Sequence, residues 1–251
     1  MKLGTDTRAV SEVIGYIIII GIIFVVFSLV FVNATTFFSS TGENERIENA
    51  ERGFVLLQSN TDEVVYGEAP RRTTDVQIGG GSVSVGGERS RIVLNVSGTE
   101  VRNRSLSPVR YSLNSEGLSY DNGAVFRQSL SGTAMVSEPG WMIRDDMVAV
   151  SGVRTLGGGS VGGGGVASVQ AESVGDAFVE TVPASEVRDV NVTVFSENAV
   201  AWNRYMEDLN ESDTVTDVVY TPDENSVKME MSIDSNQNFI YLDRPIRVRL
   251  R

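Results

Sequence analysis

Cysteine and histidine are both absent from this 251-residue chain. Their absence removes disulfides, thiolate nucleophiles, iron–sulfur ligands, imidazole bases and nearly every common zinc arrangement. Serine is abundant, but no histidine stands ready as its base, and no lysine or carboxylate is marked out to replace one. The chain is therefore expected not to be an enzyme and to carry no cofactor and no metal. Positive charge is scarce as well: 21 Lys and Arg face 33 Asp and Glu, for a formal net charge of -12. Such a surface repels phosphates, so nucleic acid is not an expected partner. The missing cysteines do not fix the compartment, because a disulfide-free exported chain and a reduced cytosolic one look alike on this measure.

The first feature present is one long apolar run. From Val13 to Val32 there are 20 consecutive uncharged residues, mostly Ile, Val and Phe, interrupted by Gly15, Tyr16, Gly21 and Ser28. A helix of that length rises about 30 Å, enough to cross a bilayer. It is apolar on every face, which a buried helix in a small soluble protein rarely is. Residues buried in lipid cannot also fill a globular core, so the rest of the chain amounts to about one domain. An ordinary secretory signal has a shorter apolar core, about 7–15 residues, ending at a small-x-small site. Lys2 and Arg8 against Asp6 make the segment before the run net positive, which favours a cytoplasmic N-terminus and an external remainder.

The string in front of the run, Arg8-Ala9-Val10-Ser11-Glu12-Val13-Ile14-Gly15, resembles the start of archaeal, especially haloarchaeal, type IV pilin-like precursors. The resemblance implies a prepilin peptidase as partner, cutting between Ala9 and Val10 and leaving the helix on the mature chain. It also implies that Glu12 pairs with the free α-amine of a neighbouring pilin-like subunit during assembly. In the bacterial pattern the glutamate is fifth in the mature chain, whereas Glu12 would be third. A carboxylate at this depth is costly and needs a partner; the other reading is that Glu12 snorkels to the interface beside Arg8. Further along, the Gly123-Ala124-Val125-Phe126-Arg127 segment, Glu138-Pro139-Gly140-Trp141 and the helix around Trp202 are similar to haloarchaeal pilin-like proteins sharing this leader.

Beyond the apolar run, Ile47, Ala50, Phe54, Leu57 and Val64 recur at helical intervals, predicting an amphipathic helix over 43–66. If it continues from the apolar run, Val10 to Tyr66 forms a spine of about 85 Å; Asn33 and Gly42 are the places where it would break. After Pro70 short alternating segments predict strands: 75–78, 82–85, 91–96, 190–195, 227–233 and 246–250. Tyr120-Asp121-Asn122-Gly123-Ala124 predicts a hairpin about a tight Asn-Gly turn, with its aromatic residues packed on one face. A short helix over Ala199–Leu209 is expected to dock through Trp202 and Tyr205. The fold class expected is α+β: a long N-terminal transmembrane and amphipathic helix followed by a predominantly antiparallel β head, type IV pilin-like. Its parts are a leader (1–9), a transmembrane helix (10–32), a helical extension (33–66) and an extracytoplasmic head (67–251).

Five Asn-x-Ser/Thr sequons, at Asn33, Asn95, Asn103, Asn191 and Asn210, all fall on the side expected to be external and are candidate glycosylation sites. The glycine run Gly157–Gly165 lacks the Lys-Ser/Thr and following helix of a phosphate-binding loop, so it reads as a flexible surface loop. Asp145 with Asp146, and Glu207, Asp208, Glu211 and Asp213, match no twelve-residue calcium loop and read as a solvated acidic surface. The expected function is a pilin-like or pseudopilin-like subunit, structural or adhesive, in a surface filament or envelope complex. It would be a single-pass protein of the cell membrane with an extracellular head. The alternative is a monomeric membrane-anchored receptor or binding protein whose leader is not cut.

Overall fold

The apolar stripe at Ile47, Ala50, Phe54, Leu57 and Val64 does what its spacing dictates: all five side chains are buried. They belong to α1 (Thr7–Val65), one helix of 59 residues that passes through both Asn33 and Gly42. In this computed structural model residues 7–87, 90–183, 188–210 and 212–251 are described, without the side chains of 7–15 and 30–41. The chain forms two compact units, Met1–Glu45 and Arg46–Arg251. α1 stops at Gly67, whose φ of 83° is open to glycine at little cost. Glu68 N–H donates to Glu63 O and Gly67 N–H to Val64 O, a Schellman ending that satisfies the last carbonyls before Pro70.

The second unit is built from strands. In chain order they are β1 (Arg71–Gln77), β2 (Ser82–Val85), β3 (Ser90–Val96), β4 (Thr99–Leu106), β5 (Val109–Leu113) and β6 (Glu116–Asp121). Then follow β7 (Ala124–Ser129), β8 (Gly132–Ser137), β9 (Met142–Ile143), β10 (Met147–Leu156), β11 (Gly159–Gly162) and β12 (Val166–Ser173). β13 (Phe178–Val182) and β14 (Arg188–Phe195) precede the helix α2 (Ala199–Leu209), and β15 (Val215–Thr221), β16 (Ser226–Ile233) and β17 (Asn238–Leu250) close the chain.

These strands form three sheets: β1-β12-β17-β10-β9 with β13 added on β17; β11-β2-β5-β6-β7-β8; and β15-β16-β14-β3-β4. The pairing is antiparallel except between β10 and β17, which run parallel from Met147 opposite Asn238 to Leu156 opposite Arg247. The architecture is therefore α+β with largely antiparallel sheets. Two apolar cores result. One gathers the α1 stripe with the first and second sheets, including Val76, Tyr111, Val169 and Ile246. The other packs the third sheet and α2 against β10 and the first half of β17, around Trp202, Met229 and Phe239.

The glycine run Gly157–Gly165 corrects an expectation. It is not a loop throughout, because its centre is β11, paired with β2 so that Val161 faces Val83. Glycine is required beside it: a Cβ on Gly157 would lie 2.5 Å from the Val248 carbonyl oxygen. β17 is also longer than the predicted 246–250. Its Pro245 falls where the β13 pairing, ending at Asp243, gives way to the β12 pairing, starting at Ile246.

Candidate functional site

Two features of the described residues are candidates for contact with something else. The first is the apolar part of α1. The 14 residues Tyr16–Leu29 are exposed on all faces, from Ile20 at 41% to Tyr16 and Phe24 at 70%. An apolar surface this continuous marks an interaction with a membrane or with other proteins. Of the two hydroxyls in this stretch, on Tyr16 and Ser28, that of Ser28 donates 2.8 Å back to the Phe24 carbonyl, so it asks for no water. Among the described residues no helix is long and apolar enough to cross a membrane. The described side chains take in 14 of the 20 residues of the Val13–Val32 run, the others lying outside them.

The second feature is a cleft where the second and third sheets meet. Asp121 ends β6 because the next two residues, Asn122 and Gly123, both take positive φ (50° and 84°) and turn the chain into β7, a tight hairpin of the kind the sequence predicts. The turn is locked from two sides: Asn122 Oδ1 accepts from Val153 N–H at 3.0 Å, and Gln58 of α1 donates to the Gly123 carbonyl at 2.8 Å. This fixes Asp121 under Ser90 of β3 and Ser196 beyond β14, whose hydroxyls each lie 2.7 Å from its Oδ2. Oδ1 is buried and has no hydrogen-bond partner among the described residues. Burial pushes the carboxyl up to about 6, against the two serine hydrogen bonds, which lower it. The cleft above has a volume of about 310 Å³ and is lined also by Arg110, Glu197, Glu224 and Asn225. Arg110 Nε holds Glu197 at 2.7 Å.

α2 keeps its predicted place. Trp202 and Tyr205 are buried and meet Trp141 at ring centroid distances of 5.4 and 5.9 Å, as packing residues.

Of the residues singled out in sequence, Ala9, Val10 and Glu12 lie in α1, but their side chains fall outside those described, as does that of Asn33; the start of the leader, 1–6, is outside altogether. The sequons at Asn95 and Asn191 come together: they are directly opposite in the β3–β14 register, on the half-exposed face of the third sheet. Asn103 of β4 is opposite Val93, on that same face, and Asn210 is exposed at the end of α2. Among the described residues no three acidic side chains converge to hold a metal ion, in the Asp145–Asp146 segment or near Glu207 and Asp208. Glu211 is outside the described residues. Sequence reading did not find the cleft. Ser90, Asp121 and Ser196 are spread over more than a hundred positions, and nothing in the local pattern of any of them differs from an ordinary strand end.

A family model described as "Family of unknown function (DUF7289)" matches residues 8–246, and the chain belongs to this family. It is similar to an "Uncharacterized protein" of Archaeoglobus fulgidus, 29% identical over 79 residues. That likeness covers 32% of this chain and 26% of the relative, so the chain spans about a quarter of the archaeal protein it matches. No solved structure matches.

Proposed function

We propose that the chain is a type IV pilin-like subunit: a membrane-anchored structural or adhesive component of a surface filament or envelope complex. The observation that carries this reading is the run of apolar side chains exposed on every face of α1 between Tyr16 and Leu29. Water is a poor solvent for that surface, at roughly 25 cal/mol per Å² of apolar area. Lipid, or the same segment of neighbouring subunits, covers it without cost. With the flanking Val13–Gly15 and Val30–Val32 the run reaches bilayer length. The family's own limits support a single functional unit, since they begin at Arg8 and take in the leader's cleavage motif, the apolar helix and nearly all of the β-rich unit.

In this reading prepilin peptidase cuts between Ala9 and Val10 on the cytoplasmic side, and Glu12 meets the new α-amine of a neighbouring subunit. The apolar helices then pack together and the β-rich unit lies outside the cell, where its sequons are open to glycosylation. The second reading, a membrane-tethered receptor with an uncut leader, is favoured by one observation, the polar cleft at Asp121. N-terminal mass spectrometry of the membrane-extracted protein separates the two. A mature chain starting at Val10 is expected in wild type, and an uncut one in Arg8→Gln and in cells lacking prepilin peptidase. A retained 1–9 segment in every case overturns the pilin reading and leaves the receptor.

A further inference from the structure

The cleft at Asp121 is unrelated to the apolar helix, and its chemistry is specific enough to name a ligand class. We propose that it binds a small organic molecule through a primary ammonium group, with Asp121 Oδ1 as the acceptor at its base. This concerns the β-rich unit alone and holds whether or not the leader is cut.

Four observations select that class. Asp121 is 1% exposed, yet only its Oδ2 is engaged, by two hydroxyls, while Oδ1 has no partner among the described residues. Buried carboxylate oxygens are ordinarily paired, so an orphan oxygen on a residue that lines a cleft points to a donor that arrives with the ligand. The charge of the lining points the same way: Glu197 and Glu224 join Asp121, while Arg110 is engaged with Glu197 and with the Gly86 carbonyl. The ligand is therefore cationic.

Size argues against a bare ion. The volume of about 310 Å³ is some ten times the roughly 30 Å³ share of one water, and stands at the lower end of small-molecule sites. Among the described residues no three acidic side chains converge to hold a metal ion.

Hydrogen-bond geometry then chooses among organic cations. A guanidinium prefers to grip both carboxylate oxygens as a fork, but Oδ2 is already taken by Ser90 and Ser196. A quaternary ammonium has no N–H and looks for open aromatic faces, whereas the one lining ring, Phe195, has the Arg91 guanidinium 3.6 Å from its centroid. A primary ammonium brings three donors to a single-point acceptor.

The test uses the full chain in detergent micelles, with thermal unfolding followed during titration by propylammonium chloride, tetramethylammonium chloride and sodium chloride at equal ionic strength. A saturable rise in Tm is expected with propylammonium alone. Asp121→Asn removes the charge and is expected to weaken that response about tenfold or more. Glu224→Gln at the mouth, which touches no hydrogen bond of the cleft floor, is expected to weaken it about threefold and decides the matter if Asp121→Asn does not fold. The proposal is overturned if the three salts act alike, if sodium saturates as propylammonium does, or if both variants keep wild-type affinity.

Discussion

Two stretches of one helix solve the hydrophobic problem in different ways. Between Tyr16 and Leu29, α1 is apolar on every face and exposed; between Ile47 and Val65 it is apolar along one stripe, and that stripe is buried against the first and second sheets. Each carries a hydroxyl that could disturb its surroundings, and each disposes of it in the same way. Ser28 donates to the Phe24 carbonyl at 2.8 Å and Thr61 to the Leu57 carbonyl at 2.7 Å. The difference lies in the polar partners beyond the helix. The second stretch carries Gln58, which clamps the Asn122-Gly123 turn, and Asn60, which donates to Thr74 at 2.8 Å. The first has, besides Ser28, only the Tyr16 hydroxyl at its edge. The apolar stretch is thus suited to a partner without directional bonds, such as lipid or another apolar helix, and the amphipathic stretch to one fixed partner of its own chain.

The sharpest way to break this comparison is to delete the same ring from each stretch. Phe54→Ala empties a fully buried position and is expected to cost about 3–5 kcal/mol of unfolding free energy. Phe24→Ala removes an exposed ring and is expected to change the stability of the β-rich unit by less than about 0.5 kcal/mol. Denaturant titrations followed by the fluorescence of the buried Trp141 and Trp202 measure both. Equal losses would show that the apolar stretch is part of the folded core and would end the comparison.

A smaller effect with the opposite pattern is expected when charge is added. Ile22→Arg is expected to cost about 2.5–3.5 kcal/mol for a position near the bilayer centre and to release the protein from membranes in an alkaline wash. Leu56→Arg, on the exposed face of the amphipathic stretch, is expected to leave membrane retention unchanged. If Ile22→Arg is retained as well as wild type, the apolar stretch is not the anchor.

Much of this contrast is legible in the sequence, because it depends on periodicity within a few turns. The stripe from Ile47 to Val64, the Asn122-Gly123 hairpin and the bounds of α2 are all local patterns, and the structure has them where the spacing puts them. The parts that were not legible depend on partners far along the chain. β4 reads Thr-Glu-Val-Arg-Asn-Arg-Ser-Leu, too charged for an obvious strand, because its inward Arg102 and Arg104 meet the buried Asp243 of β17 in place of apolar side chains. β11 hides in a glycine run, of which Gly157, just before the strand, makes a close approach to Val248. The parallel β10–β17 pairing joins segments about ninety residues apart, which no local pattern records. The Asp121 cleft is of this second kind too. Its three floor residues acquire meaning only when β3, β6 and the end of β14 are brought together.

Acidity offers the finest distinction between the two stretches, because only the amphipathic one carries carboxylates. Burial pushes Asp62 from its usual 3.8 up to about 7, and the buried Tyr120 of β6, itself raised well above its ordinary value by burial first and by Asp62 second, stands close enough to interact with it. A carboxyl raised in the folded state binds its proton more tightly there than in the unfolded chain. Its contribution to stability is therefore fully present below about pH 4 and is lost as the pH rises through about 7. Asp62→Asn keeps the shape of the protonated acid and has no charge to bury. It is expected to match wild type near pH 4 and to become progressively more stable than wild type as the pH approaches 8, with the change centred between the two pKa values. Paired urea titrations at several pH values read the difference, which cancels the carboxylates common to both proteins. The Tyr16–Leu29 stretch has no carboxylate, lysine or arginine, so membrane retention is expected to stay flat over the same range in both proteins. A stability difference that does not grow with pH would place Asp62 in water and free the second stretch of α1 from the tight seat that distinguishes it from the first.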